Sequence, residues 1–204
     1  MRINKKKIIY LISPKIINKS FYKELSKILE LGIVGLFQLR IKNESRKKKI
    51  LIGNKIQKIC KKYKVKFIIN DDVFLAKKLD ADGCHLGQND MSLLRAREIL
   101  GKKIIGITCH NSIQLAKTAV KNKADYIAFG AFNFSKTKKI KYKANISLLK
   151  RSKKIIKTPI VAIGGINNNN YKKLLLNKAN FLAISGYIWN NKKLKPIEAI
   201  KKIK

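Results

Sequence analysis

Carboxylates are scarce in this chain, so where they fall carries information. Asp and Glu together number 11, against 48 Lys and Arg. Asp71, Asp72 and Asp90 all lie near the ends of predicted strands, in IINDD (68–72) and ADGCHLGQND (81–90). Asp71 and Asp90 are 19 residues apart, which places acids on two neighbouring strand ends. Mg2+ takes one or two protein carboxylates and fills its other sites with water and substrate phosphate oxygens. Asp72 can instead cap the next helix, and Asp90 the helix beginning near Ser92. Spacing alone leaves open which of Asp71 and Asp72 is a ligand. Gln38, Arg40 and Lys42 alternate with Leu39 and Ile41, so the three polar side chains share one side of their strand. Polar groups pointing into a barrel are costly unless they find partners or face its open end. A phosphate or diphosphate is the ligand such a cluster fits.

Other rim positions also suit anions. Thr108 offers a hydroxyl at a strand end, with His110 as a further candidate two residues on. Ser135-Lys136-Thr137-Lys138 sets hydroxyls beside Lys in the loop after Gly130-Ala131-Phe132, the makings of an anion clamp. The seventh predicted strand ends in Gly164-Gly165-Ile166, and the eighth carries Ser185-Gly186. Barrels often bind a phosphate there through backbone N–H groups, and glycine lets the anion approach closely. The pairs Cys84-His85 and Cys109-His110 do not make nucleophile–base couples, because adjacent strand residues point to opposite faces. They offer no four-ligand zinc set either. The cysteines read as core.

The elements that must position these groups are legible as short apolar runs. They cover Lys7–Ser13, Leu36–Lys42, Lys66–Asp71, Gly83–Gly87, Lys103–His110, Tyr126–Phe132, Pro159–Ile166 and Phe181–Trp189. Near-continuous apolar runs predict strands buried on both faces of a parallel sheet. Amphipathic stretches lie between them. Phe21, Leu25, Ile28 and Leu29 mark one helix; Leu93, Leu94, Ile99 and Leu100 another; Ile113, Leu115, Ala116, Ala119 and Val120 a third. Leu174–Leu176 follow an Asn-rich cap region at 167–170, and Pro196 opens a last helix carrying Ile197 and Ile200. Eight strands alternating with about eight helices predict a single-domain (β/α)8 TIM barrel over residues 1–204, with its active site at the C-terminal strand ends. No GxGxxG follows the first strand, which weakens an open dinucleotide-binding sheet.

Composition narrows the class. Apolar residues make up 46%, enough for a core. The formal charge of +37 points at first to nucleic acid or an anionic membrane. But the lysines are spread along the chain, as at 47–49, 153–154 and 172–173, on what read as outer helix faces. No arginine-rich arm or aromatic binding sheet accompanies them, so no specific nucleic-acid partner is expected. No run reaches the roughly 20 apolar residues of a membrane span. The stretch Ile8–Ile12 is too short for a signal-peptide core. Three scattered cysteines, 60, 84 and 109, suit reduced thiols. The expectation is a cytoplasmic protein without a membrane partner.

Taken together, QLRIK (38–42), IINDD (68–72), ADGCHLGQND (81–90), IIGITCHNS (104–112), ADYIAFGAFNFSKTK (124–138), PIVAIGGI (159–166) and AISG (183–186) resemble the thiamine-phosphate synthase family. They run in family order from the second strand to the eighth. The resemblance implies a transferase of thiamine biosynthesis. In it, hydroxymethylpyrimidine diphosphate loses pyrophosphate, and a thiazole phosphate nitrogen attacks the exposed CH2. It implies Mg2+ held by Asp71 and Asp90. It implies pyrimidine diphosphate binding by Gln38, Arg40, Lys42, Asn70, Thr108 and Lys138, with Arg40, Lys42 and Lys138 neutralising the leaving group. It implies thiazole phosphate binding by Ser135, Thr137, Gly165, Ile184 and Ser185. No nucleophilic side chain is then needed.

The chain departs from the family pattern in three places. Phe134-Ser135-Lys136-Thr137-Lys138 stands where Pro-Thr-x-Thr-Lys is usual. Ile41 replaces an acid, and Gln88-Asn89-Asp90 a more acidic run. A thiazole tautomerase on the same barrel is the nearest rival. It would isomerise thiazole phosphate by acid–base chemistry, with His110 a candidate, and would need neither the two Asp nor the Thr-Lys loop. A basic nucleic-acid-binding protein on a degenerate barrel is the rival from another class; it predicts salt-sensitive binding and no turnover. A homodimer is expected without any residue to argue for it.

Overall fold

The computed structural model describes residues 7–134 and 141–203. Eight parallel strands close into a barrel in chain order. They are β1 (Ile9–Ile12), β2 (Val34–Leu39), β3 (Lys66–Asn70), β4 (Gly83–Leu86), β5 (Ile104–Thr108), β6 (Tyr126–Phe129), β7 (Ile160–Ile163) and β8 (Phe181–Ile184). Helices return the chain on the outside: α1 (Lys19–Glu30), α2 (Arg46–Lys62), α3 (Val73–Lys78), α4 (Leu93–Leu100), α5 (Ile113–Lys121), α6 (Ser147–Ile155) and α7 (Tyr171–Leu176). After β8 come α8 (Gly186–Trp189) and α9 (Pro196–Lys201).

The predicted strands overrun the observed ones toward the C-terminal side. The second apolar run predicts a strand through Lys42, but β2 stops at Leu39. The eighth predicts one through Trp189, but Gly186–Trp189 is helical. Ile188 is fully buried there, and a buried apolar run looks the same whether it coils or extends. Several helix starts follow from single side chains. Asn18, Ser45, Asp72, Ser92 and Ser112 each accept a hydrogen bond from a backbone N–H three residues on. The Asn-rich segment behaves otherwise. Asn170 Oδ1 accepts from the Asn167 N–H and its Nδ2 donates to the Gly165 carbonyl, so it shapes the turn after β7 instead of capping α7.

Two layers of core result. The outer one packs strand residues such as Ile69, Cys84, Ile105 and Leu182 against Leu25, Ile28, Ile56 and Leu148 of the helices. The inner one fills the barrel with Tyr10, Leu36, Ile68, Tyr126, Val161 and Phe181. The period-two alternation of each strand separates the layers. Gly106 belongs to the inner face and has no room for a Cβ, because the Tyr126 ring lies where it would be. Leu94 and Leu176 are 58% and 75% exposed, so these two expected helix contacts face outward. No helix among the described residues is long and apolar enough to cross a membrane.

Candidate active site

The polar strand ends converge at one mouth of the barrel. β3 and β4 are paired, with Asn70 opposite His85, so the acids that follow them become neighbours. Asp71 takes a left-handed backbone conformation (φ 64°) that ends β3, and its N–H donates to the His85 carbonyl at 2.8 Å. Asp tolerates this region better than most side chains. The Asp71 carboxyl lies within hydrogen-bonding reach of Asp90, and its pKa is pushed up by burial, then by the Asp90 hydrogen bond and charge, with Lys42 opposing. Lys42 Nζ sits 3.3 Å from Asp71. Asp90 Oδ2 in turn accepts the Gly87 N–H at 2.6 Å. Asp72 does something else: it caps α3 through Leu75 and faces Arg46 at 3.6 Å. Tertiary pairing thus separates the two adjacent acids, which spacing could not. Asp90 does not cap α4, because Ser92 does.

Two carboxyls this close repel when both are ionised. A hard divalent cation relieves that repulsion and prefers such oxygen donors. Among the described residues no group of three or more His, Cys, Asp or Glu could hold a metal. A cation on Asp71 and Asp90 would draw its other ligands from oxygens outside that set, such as water or substrate phosphate oxygens.

A buried polar chain lies beneath these acids. Gln38 Nε2 donates to the Tyr10 hydroxyl at 2.8 Å. The Tyr10 and Tyr126 hydroxyls are 2.7 Å apart. Tyr126 Oη lies 2.9 Å from His85 Nδ1, and His85 Nε2 lies 2.9 Å from Thr108 Oγ1. Burial holds the His85 pKa down, to about 4, so the ring is neutral near pH 7. Gln38 and Thr108, from strands two and five, are thus brought to the two ends of one hydrogen-bonded chain. Tyr10, His85 and Tyr126 were not singled out as site residues in the sequence. Their signal was a polar atom on the inward register of a strand whose other inward positions are apolar. Cys84 and Cys109 face the outer layer and are buried, as is Cys60 in α2. Burial pushes their thiols up, Cys109 to about 12, which leaves them unreactive.

Arg40 lies just past β2, its N–H held by the Ser13 hydroxyl at 2.9 Å. On the far side of the mouth, Gly164 and Gly165 have φ of 105° and 57°. A Cβ on Gly165 would run into the Phe134 carbonyl. Ser185 Oγ donates to the Ser13 carbonyl at 3.1 Å. The Ile184 side chain packs in the outer layer, so only its backbone can serve a ligand. His110 is in a left-handed conformation (φ 51°) and stacks on Tyr142 with ring centroids 4.1 Å apart. Ser135, Thr137 and Lys138 lie outside the described residues.

Comparison with known proteins identifies the family and the fold. A family model described as thiamine monophosphate synthase matches residues 9–188. The chain is 63% identical to the thiamine-phosphate synthase of Pelagibacter ubique, covering 100% of both chains. It is 40% identical to that of Erythrobacter litoralis, over 94% of this chain and 92% of the other. Among solved structures it resembles the thiamine phosphate pyrophosphorylase of Pyrococcus furiosus, with a TM-score of 0.86 and 28% identity over 98% of this chain and 94% of that one. With a family model matching residues 9–188 and a relative 63% identical over the whole chain, the chain belongs to the thiamine monophosphate synthase family.

Proposed function

We propose that this barrel joins hydroxymethylpyrimidine diphosphate to a thiazole phosphate, giving thiamine phosphate and pyrophosphate with the help of Mg2+. The observation that carries the reading is the Asp71–Asp90 pair beside Lys42, a place where a cation and a diphosphate can share charge. Mg2+ bound there would neutralise the departing pyrophosphate. Lys42 and Arg40 would add positive charge from the β2 side, and Lys138 from the β6 loop. Gln38 and Asn70, on the inward register of β2 and β3, would hold the aminopyrimidine, and Thr108 a diphosphate oxygen. The aminopyrimidine ring supports a cation at its CH2, so departure can precede attack. The turn at Gly165, the Ile184 backbone and Ser185 would hold the thiazole phosphate, with Ser135 and Thr137. Both substrates are anions, and the chain as a whole carries a formal charge of +37, which favours their approach. A homodimer and a cytoplasmic location are consistent with this chemistry, and neither is needed by it.

The test is direct. Purified protein with both heterocycles and Mg2+ should yield thiamine phosphate and pyrophosphate in equal amounts, and chelation should stop it. Product formation undiminished by chelator would remove the cation from the reaction. No product from either condition would overturn the reading. The glycine turn has its own test. Gly165→Ala forces Cβ into a left-handed backbone, at a cost of about 1–2 kcal/mol, and toward the Phe134 carbonyl. It should raise the KM for thiazole phosphate well above that for the pyrimidine substrate and lower Tm. Equal effects on both KM values would move the phosphate away from this turn.

A further inference from the structure

The chain Gln38–Tyr10–Tyr126–His85–Thr108 has a direction. Gln38 is 2% exposed, Tyr10 1%, Tyr126 0% and His85 8%, so the middle of the chain is closed to bulk water and its polar atoms are paired with one another. Each phenol has one proton and each neutral imidazole one N–H. Because Gln38 Nε2 donates to Tyr10, the Tyr10 proton is free to go to Tyr126. Tyr126 must then donate to His85 Nδ1, which puts the imidazole proton on Nε2. That proton goes to Thr108 Oγ1, and Thr108 is left with its own hydroxyl proton to give outward. At the other end the Gln38 amide oxygen is left as an acceptor outside the chain. The opposite direction requires the Gln38 amide to turn over. Gln38 would then present its NH2 and Thr108 only a lone pair. A mixed arrangement sets two donors or two acceptors against each other, or leaves a hydroxyl proton unpaired, which a buried interior disfavours.

We infer that this chain couples the two ends of the pyrimidine substrate: a diphosphate oxygen that needs a donor from Thr108 sets Gln38 as an acceptor, the form that reads an exocyclic amino group. The inference rests on the substrate assignment above. Tyr10, Tyr126 and His85 act in it as positioning residues. The register supports the geometry, since Tyr10 and Tyr126 sit one layer deeper than Gln38 and Thr108, which pair with Ile12 and Ala128. The rings also lock one another. Tyr10 meets Tyr126 edge-on at 5.6 Å, and His85 stacks on Tyr126 at 5.6 Å between centroids. Gly106 leaves the space that the Tyr126 ring fills.

The experiment has two arms. In the full chain without substrate, the 15N shifts of the His85 ring should report the Nε2–H tautomer; an Nδ1–H ring would overturn the direction. This arm needs no turnover, so it stands apart from the assignment of the reaction. The second arm is a cycle of Gln38→Ala and Thr108→Val on kcat/KM for the pyrimidine diphosphate. In the parent the double variant should differ from the product of the singles by about 10-fold, and in Tyr126→Phe the product should hold within about two-fold. Tyr10→Phe, which cuts a different link, should also abolish the coupling and guards against a misfolded Tyr126 variant. Coupling that persists in both backgrounds, or none in the parent, would overturn the inference. A parent protein that makes no thiamine phosphate at all would instead overturn the reaction assignment, with the tautomer result still deciding the chain's direction.

Discussion

Asp90→Asn should lower kcat by about 10²–10³-fold while leaving the fold intact. Asn keeps an acceptor for the Gly87 N–H, so the turn that carries position 90 retains its bond. What it removes is half the charge facing a divalent cation. The Mg2+ concentration needed for half-maximal activity should rise as well. Stability should move the other way in the metal-free protein, because one of two repelling carboxyls is gone. The pH dependence follows from Asp71, whose folded pKa is raised. Between its ordinary and its raised value the folded chain holds a proton that the unfolded chain has lost. Stability of the metal-free parent therefore falls as pH rises through that window and does not recover above it. On the proposed reading Mg2+ would bind the ionised pair, so its stabilising effect should grow across the same window. In Asp90→Asn both trends should shrink, since burial remains but the partner charge does not. Thermal melts with and without Mg2+ over a pH series, beside steady-state rates, check all of this. Parental turnover at the parental Mg2+ requirement would take Asp90 out of the mechanism.

Arg40→Ala should cost kcat about 10²-fold, with a smaller change in the KM for the pyrimidine substrate. The leaving pyrophosphate gains charge as the C–O bond breaks, so a fixed cation helps the transition state more than the ground state. Arg40 is well placed for this. Ser13 donates its N–H to the Gln38 carbonyl and accepts the Arg40 N–H, which ties the residue to the joined ends of β1 and β2. The Arg40 side chain is half-buried and belongs to neither core layer, so its loss should leave Tm close to the parent. Arg40→Lys should recover only part of the rate, because an ammonium cannot offer two parallel N–H bonds to a phosphate. Pyrophosphate release measured under saturating substrates checks it. An Ala variant that turns over like the parent would assign the neutralisation to Lys42 and Lys138 alone.

The order of elements was legible without coordinates, because burial on both faces leaves eight apolar runs, and the stretches between them repeat with helical spacing. The same runs blurred strand ends. Nothing in Ile184-Ser185-Gly186-Tyr187-Ile188 says that the chain stops extending after Ile184 and coils, since both states bury the same residues. The candidate site was legible where polar types interrupt apolar runs near their ends, as at Gln38, Arg40, Asp71 and Thr108. The roles of neighbours were not. Asp71 and Asp72 look alike in one dimension; only the pairing of β3 with β4 turns one toward Asp90 and leaves the other to cap α3. The inner chain was the least visible part. Tyr10 and Tyr126 are 116 positions apart, and hydrogen bonds between such residues exist only once the barrel has closed. Local sequence therefore determined which segments are strands and helices and which residue types meet at their ends. Closure of the sheet decided which of those residues touch, because contact across a barrel depends on strand order and register, which no short stretch of sequence contains.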